Sequence, residues 1–128
     1  MTKFRQDHEP PPAIAEWGWR YHHTGIPTTG PIENEKYLPQ YKFHCGGFCS
    51  SPFGIEWMRF DDDSPVHELI KTVPHVAFEV DDLDLELQKH DFNIISPPGS
   101  PSCGVRTAMI DYKGVPIELI EFSGYERE

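Results

Sequence analysis

Two six-residue stretches of this chain are nearly the same. Ile55-Glu56-Trp57-Met58-Arg59-Phe60 and Ile117-Glu118-Leu119-Ile120-Glu121-Phe122 both read isoleucine, glutamate, two apolar residues, one charged residue, phenylalanine. Upstream of each lies a segment headed by a histidine: His23-Thr24-Gly25-Ile26-Pro27-Thr28 before the first, and His75-Val76-Ala77-Phe78-Glu79-Val80 before the second. The order along the chain is therefore His, Glu, His, Glu. It describes a duplicated half-domain carrying one imidazole and one carboxylate per half, which limits the fold to one built from two similar modules.

The second histidine segment is the clearer strand. A period of two places His75, Ala77 and Glu79 on one face and Val76, Phe78 and Val80 on the other, so the apolar face packs and the histidine face looks elsewhere. Asp81 then predicts the N-cap of a helix over 82–90, whose acidic first turn and basic last turn suit the helix dipole. Phe92 to Ile95 reads as a strand and 97–101 as an irregular proline loop. Val105–Asp111 and Val115–Phe122 form a hairpin around Tyr112-Lys113-Gly114. The second half is thus β, α, β, β, β.

The first half reads the same with its helix cut short. Residues 1–15, with Pro10, Pro11 and Pro12 in a row, predict an extended arm. From Trp17 onward, alternation puts Trp17, Trp19 and Tyr21 on the face of His23, and Gly18, Arg20 and His22 on the other, so that His22 and His23 point opposite ways and one of them faces the site. Between Gly30 and Pro39, the segment 32–38 has room for about two helical turns. Strands at 41–45 and 55–60 follow. Asp61-Asp62-Asp63-Ser64-Pro65 connects the halves and lacks the alternating ligands and glycine of a calcium loop. The expected organisation is an arm at 1–15 and one domain at 16–128, with module one at 17–62 and module two at 70–124.

At 128 residues the chain can bury a core without disulfide staples. Its net charge of −10 excludes nucleic acid and an anionic membrane surface as partners, because both would repel it. No apolar run approaches membrane-spanning length, and residues 1–8 lack the apolar core of a signal peptide, so the expected compartment is the cytoplasm. Three cysteines cannot all pair in one chain and read as free thiols in a reducing compartment; a zinc site from His44, Cys45, Cys49 and Cys103 is the alternative.

Two histidines and two carboxylates placed mid-strand make a divalent-metal ligand set, suited to Zn, Ni, Co, Mn or Fe. A sheet curled around the ion would bring His23, Glu56, His75 and Glu118 together. Glu79 reads as a neighbour of the site or a salt-bridge partner, Arg106 as an anion binder or a surface ion pair, and His44 as pocket-lining or exposed.

Here the chain resembles a known family. The duplicated modules, the strand H-V-A-F-E-V-D-D at 75–82 and the strand P-I-E-L-I-E at 116–121 are similar to the vicinal oxygen chelate superfamily, and within it to glyoxalase I. The resemblance covers residues 19 to 122. It implies an α+β fold in which two βαβββ modules form a cupped mixed-sheet barrel, here with a shortened first helix. It places the metal ligands on His23, Glu56, His75 and Glu118, with His22 as the substitute for His23 should the register slip by one.

The implied activity is that of a metal-dependent lyase or isomerase acting on a small substrate chelated through vicinal oxygens. The ion acts as a Lewis acid stabilising an enediolate, and Glu56 or Glu118 moves the proton. No segment matches the family's glutathione site, so metal chemistry is better supported than the glutathione substrate. Rival readings are an epimerase or ring-cleaving dioxygenase of the same superfamily, or a non-catalytic small-molecule-binding module. The resemblance admits a homodimer.

Overall fold

The structure, a computed structural model, describes residues 5–123. Residues 1–4 of the expected arm, and 124–128 at the end of the expected second module and domain, lie outside the described residues.

Eight β-strands account for most of the described regular structure. They are β1 (Arg20–Pro27), β2 (Lys36–Leu38), β3 (Phe43–Gly46), β4 (Ile55–Phe60), β5 (His75–Glu79), β6 (Ile94–Ser102), β7 (Val105–Tyr112) and β8 (Val115–Phe122). They make one mixed sheet in the order β2-β3-β4-β1-β5-β8-β7-β6, curled into a half-barrel. β1 runs parallel to β4, β5 runs parallel to β8, and the two pairs join through antiparallel β1 and β5. The first and last strands of each half are therefore adjacent, and the duplication seen in the sequence appears as an approximate two-fold relation about the β1/β5 seam.

Each central strand has two distinct faces. On the face opposite His75, a helix α3 (Leu83–Lys89) covers the sheet, and Trp19, Val80, Leu83, Ala108, Ile110 and Leu119 pack beneath it. Asp82 caps α3, accepting a hydrogen bond from the Leu85 backbone N–H at 3.1 Å. The cap lies one residue beyond the predicted Asp81, whose carboxylate instead takes a 2.8 Å bond from Arg20. Trp19 Nε1 donates to the buried Glu86 carboxylate at 2.7 Å, which ties the start of β1 to α3. The β7/β8 hairpin turns at Lys113 and Gly114, both at positive φ (51° and 90°), the conformation that a two-residue turn requires to match strand twist.

Three expectations need correction. The extended arm closes into one helical turn, α1 (Pro12–Ala15), with proline at its start, where no N–H is needed; Ala13 then packs against the core. The shortened helix expected over 32–38 does not form. A segment this short bears the full cost of helix nucleation with few hydrogen bonds to offset it, and 36–38 instead pairs with β3 as β2. The proline loop at 97–101 lies within β6. That strand sits at the sheet edge, where prolines remove no needed donor, and its pairing with β7 slips at three places. A helix α2 (Glu68–Thr72) fills the connection between the halves. Among the described residues, no helix is long and apolar enough to cross a membrane.

Candidate metal centre

Two cross-strand rows build the site. In the first, His23 on β1 pairs with Ala77 on β5, and Ala77 pairs with Glu118 on β8. In the second, His75 on β5 pairs with Gly25 on β1, and Gly25 pairs with Glu56 on β4. Each row reads histidine, small residue, glutamate. The small residue in the middle lets an imidazole from one side and a carboxylate from the other lean over it. The rows run in opposite senses across the seam, so each half of the sequence supplies the histidine for the other half's glutamate.

The geometry is tightest around Glu118. Its Oε1 lies 3.0 Å from His23 Nε2 and 3.2 Å from His75 Nε2, and the two Nε2 atoms are 3.4 Å apart. His23 and His75 are 6% and 2% exposed and the Glu118 side chain 16%, so the triangle is largely buried in the wall of the cavity. Burial alone would raise the Glu118 pKa, but hydrogen bonds and charge from both histidines outweigh it and hold the carboxyl down at about 2. His23 moves the other way. Burial disfavours its charge, yet the bond to Glu118 and the charges of Glu118 and Glu56 raise its pKa.

His23, His75 and Glu118 form the one group of three or more metal-ligating side chains found among the described residues, with ligand atoms within 4.8 Å of one another. They fit a divalent ion on two counts. Four ligands held about 2.0–2.2 Å from a tetrahedral centre stand about 3.3–3.6 Å apart, close to the spacings seen here. Two imidazoles and a carboxylate are suited to Zn, Fe, Co, Ni or Mn. His75 Nδ1, the ring nitrogen not turned to the triangle, is buried without a hydrogen-bond partner.

Glu56 lines the same cavity as these three but is not a member of the close group. Its carboxyl is pushed up, chiefly by burial and further by the negative charge of Glu118, against the opposing pull of His23 and His75.

The expected opposition of His22 and His23 does not hold. The β1/β5 register shifts between Tyr21 and His23, so His22 occupies a bulge and both histidines line the cavity. His22 Nδ1 lies 2.7 Å from His23 Nδ1, and its ring stacks on Phe48 with centroids 4.8 Å apart and planes at 17°. His23 therefore presents Nε2 to the triangle while Nδ1 is engaged from behind. The paired histidines in the sequence are the signal for this contact; the bulge that lets both face inward has no sequence mark of its own. Trp19, expected on the His23 face, is turned by the same bulge into the core under α3.

The other candidates resolve into polar contacts elsewhere. Arg106 makes two 3.1 Å bonds to Asp84, His44 Nδ1 lies 2.8 Å from Glu35, and Glu79 is 3.4 Å from Arg20. Cys45, Cys49 and Cys103 form no disulfide, and none belongs to the metal-ligating group.

No family model and no curated protein matches the chain. Solved structures do. A hypothetical protein from Bacillus halodurans C-125 superposes with a TM-score of 0.63 at 16% identity, over 86% of this chain and 99% of that one. Methylmalonyl-CoA epimerase from Mycobacterium tuberculosis gives 0.60 at 20% identity, over 81% and 88%. These likenesses show the fold: the α+β, glyoxalase-like arrangement that the resemblance implies.

Proposed function

We propose that this chain is a metal-dependent enzyme of the vicinal oxygen chelate type that moves a proton on a carbon next to a chelated carbonyl, as in a glyoxalase-type isomerisation. The observation that carries this reading is the His23/His75/Glu118 triangle with a second carboxylate, Glu56, in the same cavity. A divalent ion held there supplies Lewis acidity to adjacent substrate oxygens and stabilises the negative charge left when the proton departs. Glu118 is held ionised between two imidazoles and serves as an anchor. Glu56, with its carboxyl pushed upward, has the environment of a general base, and takes the proton from the carbon next to the carbonyl and delivers it to the former carbonyl carbon. His22 and Phe48 wall off the Nδ1 side of His23. A fold shared with an epimerase supports proton transfer as the reaction class and makes epimerisation the nearest variant.

A second reading rests on the separation of Glu56 from the triangle. Two histidines and one carboxylate with open positions are also the ligand set of non-haem iron oxygenases.

The deciding experiment is metal analysis followed by two assays. Stoichiometric metal that disappears in the His75→Ala/Glu118→Ala double variant, together with solvent deuterium entering 2-oxoaldehyde hemithioacetals or acyl-CoA epimers, supports proton transfer. Oxygen uptake with catechols by the iron-loaded protein moves the assignment to the second reading. Protein that binds no metal under any loading sinks both.

A further inference from the structure

The twin strands β4 and β8 differ in what lies on their outer face, the one turned away from the cup. On β8, Ile117 and Leu119 belong to the cluster under α3, together with Leu83 and Leu87 of that helix, and Leu119 is fully buried. Ile55 and Trp57 hold the same two places in β4, yet Trp57 is 44% exposed. The difference is made by the segment that follows the first strand of each half. After β5 the chain builds α3; after β1 it has only the non-helical strap 28–35. Ile32 of this strap is buried against Gly46, where a Cβ would stand 2.9 Å from Ile32 Cγ2. Beside it a groove of about 520 Å³ stays open, lined by Pro31 and Ile32 of the strap, Ile55 and Trp57 of β4, and Ser50 and Ser51 of the loop before β4. Glu33 is the one charged residue of the lining, and its carboxylate meets no cation among the described residues.

We infer that this groove docks an amphipathic helix of a partner protein, one whose apolar stripe is flanked by lysine or arginine. The duplicated half shows the shape that fits. There a helix with leucines four apart, Leu83 and Leu87, lies over the positions that Ile55 and Trp57 occupy in β4. Charge selects the flank: the groove holds an unpaired carboxylate and no cation, on a chain of net charge −10, so a basic helix is drawn to it and an acidic one repelled. The same charge disfavours a second copy of this chain, because a self-complementary contact would bring two acidic surfaces and two Glu33 carboxylates together. Trp57 supplies the anchor, since tryptophans at the centre of a contact carry a large share of binding energy. Glu56 faces the cup and Trp57 the opposite side of the same strand, so the docking face and the metal triangle are independent.

The probe is a blocked, stapled helical peptide with leucines at i and i+4 and lysines beside them. Two controls accompany it, one with alanine for each leucine and one with glutamate for each lysine. Isotope-labelled full-length protein is titrated by NMR at physiological salt, with the Trp57 indole N–H assigned through Trp57→Phe. The leucine-lysine peptide is expected to shift the Trp57 indole, to leave those of Trp17 and Trp19 in place, and to bind about tenfold tighter than either control. Trp57→Ala is expected to weaken it about tenfold or more. Glu33→Lys, at an exposed position, is expected to weaken it and to strengthen binding of the glutamate peptide, a readout that stands even if Trp57→Ala fails to fold. Equal binding of the leucine-lysine and alanine-lysine peptides would reduce the effect to bare attraction for an acidic protein and overturn the inference. Absence of binding, or shifts that spare Trp57, would overturn it too. So would a dimer in sedimentation that Trp57→Asp disperses, which would make a second copy the cover.

Discussion

Gly25 lies directly across the β1/β5 seam from His75, and a Cβ on it would stand 2.6 Å from both nitrogens of the His75 ring. No real Cβ contact is that short, so the imidazole occupies space that exists because residue 25 has no side chain. Ala77 plays the corresponding part in the other row, but its methyl is accommodated and it is fully buried. The two rows are alike in plan and unequal in room. His75 lies over its small residue and reaches Glu118, leaving Glu56 outside the close triangle.

Gly25→Ala should therefore act on the metal site through ring position. Because His75 must rotate or shift to clear the methyl, metal affinity is expected to fall about tenfold or more, comparable with the loss of a buried orienting contact. Stability should drop by about 1–3 kcal/mol from overpacking. Competition titration with a chromophoric chelator reads the first and thermal melting the second; unchanged metal affinity would show that the ring position does not matter.

How much of this was legible in the chain depends on the kind of information involved. His75, Ala77 and Glu118 sit on strands whose alternation is regular, so their faces follow from a period of two. The twin Ile-Glu segments carry the duplication because each is the last strand of a half and packs in the same way. What was not legible depends on pairing. The bulge at His22 arises from how β1 meets β5, a non-local matter, and it reverses the inference that adjacent residues face opposite ways. The prolines of β6 read locally as a loop and are tolerated because that strand lies at an edge, a position known only once the sheet is assembled. The helix expected over 32–38 loses to a strand partner, β3, that local propensity does not see.

The His22 contact makes a prediction of its own. With Nδ1 engaged 2.7 Å behind by His22, the His23 ring is held with Nε2 toward Glu118. His22→Phe keeps a ring against Phe48 and removes the nitrogen; it is expected to weaken metal binding about 10–100-fold. His22→Asn, which retains a polar partner, should recover part of the loss. Equal affinity in wild type and His22→Phe would reduce His22 to a packing residue.

The opposed shifts of His23 and Glu118 set a pH dependence. His23 has a raised pKa in the folded protein, so its contribution to metal-free stability is fully present below its unfolded pKa, near 6.5, and is lost as pH rises through the folded value. Glu118 is depressed to about 2 from 4.5, so its contribution is present above 4.5 and is lost as pH falls toward 2. Metal-free protein should be best served by this pair between about pH 4.5 and 6.5. Metal binding should have the opposite preference. It must displace the His23 proton, so affinity is expected to climb as pH rises through that raised pKa, with Glu118 already ionised throughout. Melting curves with and without Zn²⁺ from pH 4 to 9 should show the stabilisation by metal growing with pH; a flat difference would mean that His23 does not exchange a proton for the ion.

Glu56→Gln separates ligand from base. The substitution keeps shape and removes the proton acceptor. If Glu56 acts as the general base, metal stoichiometry is retained, affinity changes little, and solvent-deuterium incorporation into substrate falls about 10²–10⁴-fold. Should Glu56 instead be a fourth ligand, the loss appears first in metal affinity. Glu118→Gln sharpens the comparison, because it leaves His23 and His75 without the carboxylate that both of them contact. That variant should lose the ion outright and, in its absence, lower the His23 pKa. Metal loss in both variants alike would make the two carboxylates equivalent ligands, contrary to the unequal room that Gly25 and Ala77 give them.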